Sequence, residues 1–208
     1  MTQPSTNGGT PASSGRTPAQ GNRLDPWYDV YADRAHNLRA SEIRALFSVV
    51  SRPEVVSLAG GMPNLKDLPL DRLAASAEKL IRNHGAQAMQ YGSGQGWEVL
   101  RERITEVMAY DGIVGADPDD VVVTTGSQQA LDLVTELFVN PGDVILAEAP
   151  SYVGALGVFR ARQADVVHVP MDENGIIPEA LVETIRDVRA SGRTIKFIYI
   201  IPNYHNPA

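Results

Sequence analysis

The stretch 121–131, VVVTTGSQQAL, ends a run of β-branched residues at a Thr-Thr-Gly-Ser corner and begins a helical pattern at once. A strand there delivers its carboxyl end to a helix amino terminus. Unpaired backbone N–H groups, the positive end of the helix dipole and the Ser127 hydroxyl then converge on an anion, most commonly a phosphate. Two later apolar runs also end on polar residues. Glu148-Ala149-Pro150-Ser151-Tyr152 brings an aromatic ring, and Pro202-Asn203-Tyr204-His205-Asn206-Pro207 brings a side-chain amide. In an open α/β sheet, ligands sit beyond the carboxyl ends of the strands. A phosphate cup, a flat ring and an amide suit a phosphorylated aromatic cofactor. They suit a nucleotide less well, because neither G-x-G-x-x-G nor G-x-x-x-x-G-K-[ST] occurs.

The elements that must hold these residues follow from periodicity. Strands are expected at 121–124, 144–148, 165–169 and 195–201, with helices at 127–139, 152–162 and 178–190 between them. Strands apolar on both faces that alternate with helices give an α/β fold, a mostly parallel sheet sandwiched by helices. Upstream, Ser41 caps a short helix that Arg52-Pro53 ends, and 55–59 is a short strand running into Gly60-Gly61-Met62-Pro63. Asp71 caps a helix ending at His84-Gly85, and the glycine-punctuated loop 91–96 precedes a helix carrying Leu100, Ile104 and Val107. Three divisions are expected: a polar, disordered tail at 1–23, an amino-terminal arm with part of a small domain at 24–65, and a large-domain portion at 66–208.

Composition narrows the function. The 208 residues are 43% hydrophobic, enough for one sizeable core, and the net charge of -7 disfavours nucleic acid or an anionic membrane as partner. Without cysteine there is no disulfide or thiol chemistry, which is compatible with a cytoplasmic location. His36, His84, His168 and His205 lack metal-ligand spacing and read as surface or capping residues, so no metal site is expected. No apolar run approaches the length of a membrane span.

Six segments in order, GGMP, QYGSGQG, TTGSQQAL, NPGD, EAPSYVGAL and PNYHNPA, resemble the class I/II aminotransferases. These are pyridoxal-phosphate enzymes of fold type I. The likeness is greatest to the branch holding α-aminoadipate and kynurenine aminotransferases and the effector domains of MocR-type regulators, and it spans roughly 41–208. The resemblance implies that Gly126, Ser127 and Gln128 hold the cofactor phosphate, that Tyr152 stacks on the pyridine ring and that Asn206 donates to the ring's phenolic oxygen. It implies that Tyr91 reaches the neighbouring subunit's phosphate across a homodimer interface. Gly61 would face the substrate carboxylate, and Arg44 would help shape the substrate pocket. Taken singly, Ser127 also reads as an N-cap, Tyr152 as a core aromatic, Asn206 as a turn former, Tyr91 as ordinary packing, Gly61 as a turn residue and Arg44 as a solvated helix position.

The family's Schiff-base lysine lies downstream of the Asn-Pro motif. Lys66, Lys79 and Lys196 are the lysines here, and none sits in a matching context. No catalytic residue is therefore assigned. The resemblance implies a cytoplasmic homodimeric transaminase passing an amino group between an amino acid and a 2-oxo acid, with this chain an incomplete, inactive fragment of it. The rival readings are the ligand-sensing domain of a MocR-type regulator and a non-catalytic remnant.

Overall fold

The computed structural model describes residues 25–36, 52, 54–56 and 65–208. The expected helix from Ser41, the strand at 55–59 (beyond Val56), and with them Arg44 and Gly61, lie outside the described residues. The chain divides into two units, Met1–Leu38 and Arg39–Ala208. In the first, a 3₁₀ turn (Tyr28–Val30) leads to a single helical turn, α1 (Asp33–His36). The rings of Tyr28 and His36 lie 4.7 Å apart, and the Tyr31 hydroxyl donates to Asp25 at 3.2 Å.

The second unit contains α2 (Leu70–Ala88), α3 (Glu98–Tyr110), α4 (Gly126–Phe138), β1 (Val144–Ala149), α5 (Val153–Ala161), β2 (Asp165–Asp172), β3 (Gly175–Ile176), α6 (Pro178–Ala190) and β4 (Ile195–Tyr199). The sheet order is β3-β2-β1-β4. β1 pairs in parallel with both β2 and β4, while β3 closes an antiparallel hairpin on β2. The two parallel pairings require crossovers, and α5 and α6 supply the helices within them.

β1 shows why the sheet must be covered twice. Val144, Ile145, Leu146 and Ala147 are all fully buried, although successive side chains point to opposite faces. Val144 and Leu146 pack with Val169 and Val188 beneath α6, joined by Leu181 and Ile185. Ile145 packs on the other face with Ala155, Val158 and Phe159 of α5 and with Leu131 of α4. Phe159 meets Phe197 and Tyr199 edge-on, with ring centres 5.9 and 5.5 Å apart. Each fully buried side chain of this size contributes roughly 1.5–3 kcal/mol of transfer free energy, and the edge-on geometry adds to it. The expected α/β arrangement, helix over parallel sheet over helix, is the one observed.

Several expected boundaries move. Residues 121–124 form no strand: among the described residues, the one backbone bond that reaches them from a distant segment runs from the Val123 N–H to the Gln95 carbonyl at 2.7 Å. A β-branched run supplies strand propensity but not the partner that defines a strand, and no described segment lies alongside it as a ladder. α2 is interrupted where its end was expected: His84 is non-helical (φ -138°, ψ 19°), and a second short helical segment then carries the chain to Ala88. β2 runs on to Asp172, because Pro170 stays in register opposite Ala149 and Met171 then pairs with β3. Among the described residues no helix is long and apolar enough to cross a membrane.

Candidate cofactor site

The site is built on the amino termini of α4 and α5 and on the segments leaving β1 and β4, at the carboxyl end of the parallel strands. α4 begins at Gly126, whose φ of 76° lets the chain turn sharply into the helix. Thr125 gives the helix no side-chain cap, so the N–H groups of the first turn have no side-chain partner there. Ser127 is exposed, and no described hydrogen bond engages its hydroxyl. Gln128 reaches across to α5, where its amide Nε2 donates to the Gly154 carbonyl at 3.3 Å. That bond draws together the two helix starts that carry Ser127 and Tyr152.

Tyr152 precedes α5 and is half-buried against the Ile145–Phe159 cluster. Its ring lies over Gly154, where a Cβ would collide with it. Tyr199, at the end of β4, stands close by: burial first, then the Tyr152 hydroxyl and the Glu148 carboxylate, raise its phenol above the ordinary value. A shallow apolar hollow of about 320 Å³ joins Ser127 to Phe159, Phe197 and Tyr199. Salt links fasten the outer side of this helix pair. Arg162 grips Asp132 through two 2.9 Å bonds and Glu136 through a third at 2.9 Å.

Asn206 sits beyond β4 in an exposed loop, and its side chain makes no hydrogen bond among the described residues. Among the described hydrogen bonds, none links it to Ser127 or Tyr152. It joins their neighbourhood through Glu148 at the end of β1. The Glu148 carboxylate accepts from the Ile201 N–H at 2.9 Å and faces Nε2 of His205, the residue before Asn206, at 3.1 Å. Tyr91 is fully exposed on the wall of a separate hollow of about 520 Å³, formed by α2, the 91–96 loop and α3. The loop is tied back to the approach to the phosphate corner. Gly96, at φ 102°, is so close to Val123 that a Cβ there would overlap its side chain, and the Gln95 amide donates to the Asp119 carbonyl at 3.1 Å. Tyr91 is thus fully exposed, on the wall of a hollow that does not include Ser127.

Whether these residues fit pyridoxal phosphate turns on the donors and the space around them. A Cβ at Gly126 would meet no chain atom within 4 Å, so the corner is open to a ligand. The donors there are backbone N–H groups and a hydroxyl, which match a phosphate. The half-buried Tyr152 offers a flat face, and the Asn206 amide is available to an oxygen. The residues present fit the group.

Reasoning from sequence missed Glu148, Tyr199 and His205. The first two close apolar strands and gave a positional cue. His205 gave none: it was expected at the surface, yet its side chain is only 10% exposed and bonded to Glu148. Spacing among histidines along the chain says nothing about a carboxylate 57 positions away.

Residues 53–208 match the family model described as aminotransferase class I and II. The aromatic-amino-acid aminotransferase 1 of Thermococcus litoralis is 36% identical over 178 residues, 86% of this chain and 43% of the relative. The 2-aminoadipate transaminase of Thermus thermophilus is 36% identical over 181 residues, 87% of this chain and 43% of the relative. Among solved structures, the kynurenine aminotransferase of Pyrococcus horikoshii, crystallised in complex with PMP, superposes with a TM-score of 0.80 at 34% identity. The match covers 90% of this chain and 46% of that one. The chain therefore spans less than half the length of the proteins it matches.

Proposed function

The chain belongs to the aminotransferase class I and II family, and from that premise we propose that it is the cofactor-holding first part of a pyridoxal-phosphate-dependent transaminase. The observation that supports this best is the open start of α4, drawn by Gln128 against the start of α5 where Tyr152 stands. When bound, pyridoxal phosphate supplies the carbonyl that takes up the amino group and the conjugated ring that accepts the electron pair released at the substrate α-carbon. The backbone N–H groups of Gly126, Ser127 and Gln128, with the Ser127 hydroxyl, hold the phosphate against the helix dipole. Tyr152 supports one face of the ring and excludes water from it. The Asn206 amide donates to the phenolic oxygen and so stabilises negative charge there. Tyr91, presented outward, serves the phosphate of a second subunit in a homodimer. Gly61 and Arg44 shape the pocket for the substrate, an amino acid and its 2-oxo acid partner of the aminoadipate, kynurenine or aromatic kind. A cytoplasmic setting agrees with the absence of cysteine.

The lysines do not complete this chemistry. Lys196 opens β4 and pairs with Asp143 at 3.3 Å, which places it at the amino end of the strands, opposite the candidate site. Lys79 lies on exposed α2 and Lys66 in the loop before it. The 208-residue chain alone is thus expected to bind the cofactor without moving an amino group. Equilibrium dialysis against pyridoxal phosphate should show binding that S127A and Y152A each weaken about tenfold, the value of one or two good contacts. Amino transfer from aminoadipate, kynurenine or phenylalanine to 2-oxoglutarate should be undetectable. Turnover by this chain, or unchanged binding in the double variant, would overturn the reading. Reading the coding frame past Ala208 for an aspartate and a lysine tests the parentage directly.

A further inference from the structure

Glu148 is a carboxylate with a 5% exposed side chain at the end of the most deeply buried strand, and its partner His205 is 10% exposed. Burying such a pair carries a desolvation cost that an apolar pair of the same volume would not. The geometry shows what this pair does locally. One oxygen of Glu148, Oε2, accepts from the Ile201 N–H at 2.9 Å and lies 3.1 Å from His205 Nε2. On the other side of the ring, the Ala208 N–H donates to His205 Nδ1 at 3.2 Å. Since Nδ1 must accept there, Nε2 carries the hydrogen and donates it to Glu148; one neutral tautomer satisfies both bonds. The imidazole is therefore a strut, anchored to β1 at one nitrogen and to the backbone of Ala208 at the other. Asn206 lies between those tethers. Just ahead of them, Tyr204 adopts a φ of 49° with its ring fully exposed, a left-handed conformation unusual for a bulky residue. That turn sends the Tyr204 ring outward and the His205 ring inward to Glu148.

We propose that Glu148 and His205 are positioning residues that fix the peptide on both sides of Asn206 and thereby set where its amide meets the phenolic oxygen of the cofactor. The role rests on the pyridoxal-phosphate reading above. Neither residue touches the cofactor; both act through Asn206. The functional effect of losing them must therefore vanish when the Asn206 amide is already gone, whereas a general packing role would weaken binding in either background.

The test uses the 208-residue chain in two measurements. Imidazole ¹⁵N shifts should show His205 neutral, with hydrogen on Nε2 and a bare Nδ1; an Nδ1–H tautomer or a freely rotating ring would overturn the strut. Affinity for pyridoxal phosphate is then measured for E148A, E148Q and H205Q, each with and without N206A. With Asn206 present, E148A and H205Q should weaken binding several-fold, up to about tenfold, the worth of the one hydrogen bond they misplace. E148Q, whose amide oxygen can still accept both bonds, should bind like the parent chain. In the N206A background all three should bind alike. Equal losses in both backgrounds would overturn the positioning role. H205Q keeps its bond to Glu148 and releases only the Ala208 tether, so it still reports if E148A fails to fold. No binding by the parent chain would overturn the cofactor reading and the positioning role with it, while the imidazole spectrum would still show whether the pair exists.

Discussion

A methyl group on Gly154 would collide with the ring of Tyr152, and the atoms it meets are the outer end of that ring. A side chain's end can swing away, so G154A displaces the ring rather than breaking the fold. Gly154 lies in the first turn of α5, where alanine is the better helix former by up to about 1 kcal/mol. The expected outcome separates stability from binding. The thermal midpoint should hold or rise, while affinity for pyridoxal phosphate should fall about three- to tenfold as stacking is lost. A calorimetric scan and a dialysis isotherm on the same sample check it. Parallel losses in both would mean that the ring matters to the core and not to a ligand. The residues legible in the sequence were those whose chemistry is local. Ser127 and Gln128 follow a helix start, and Tyr152 follows a strand end. Glu148 and His205 were not legible, because their bond spans 57 positions and neither residue type in isolation announces it.

Between elements, α4 and α5 are joined on the outside by Arg162 clasping Asp132 and Glu136. The Arg162 hydrogen bond, helped by the guanidinium charge and opposed by burial, holds the Asp132 carboxyl below its ordinary value. A carboxyl depressed in the folded state contributes stability that is fully present above its unfolded value and disappears as pH falls through the folded one. The clasp should therefore support the fold at neutral pH and fail in acid, below the ordinary aspartate value of 3.8. Both partners are partly exposed, so the contribution is small and weakened by salt. D132N should lower the denaturation midpoint slightly at neutral pH and not at all in strong acid, in urea titrations run at the two pH values. An equal loss at both would place the effect in packing. Helix and strand types were legible because α4 and α6 carry an apolar helical period, while β1 is a short, continuous apolar run bounded by turn residues. The 121–124 segment failed for a physical reason: a strand is a relation between two segments, and a β-branched run describes only one of them.

The described surface of the second unit is unusually apolar. β4 pairs with β1 on one side only among the described residues, and Ile198 on it is 40% exposed. Leu137, 76% exposed, and Phe138 project from the end of α4, while Leu73, Leu80 and Ile81 form an uncovered stripe along α2. The nearly continuous apolar run 195–201 is what a central strand needs, whereas among the described residues β4 occupies an edge. An edge with free N–H and carbonyl groups and exposed isoleucine is a template for another chain. Purified alone, the 208-residue chain should thus self-associate in the micromolar range, where exposed edges commonly find each other. Sedimentation velocity should show species that grow with concentration. A lysine at Ile198 places a charge on that edge and should shift the distribution toward monomer. A lysine at Val182, an exposed position on α6 away from the edge, should leave it unchanged. If β4 is the route, only the first substitution acts. If both act alike, net charge governs the association, and a monodisperse monomer from the unmodified chain would mean that β4 and the stripe on α2 are not sticky surfaces at all.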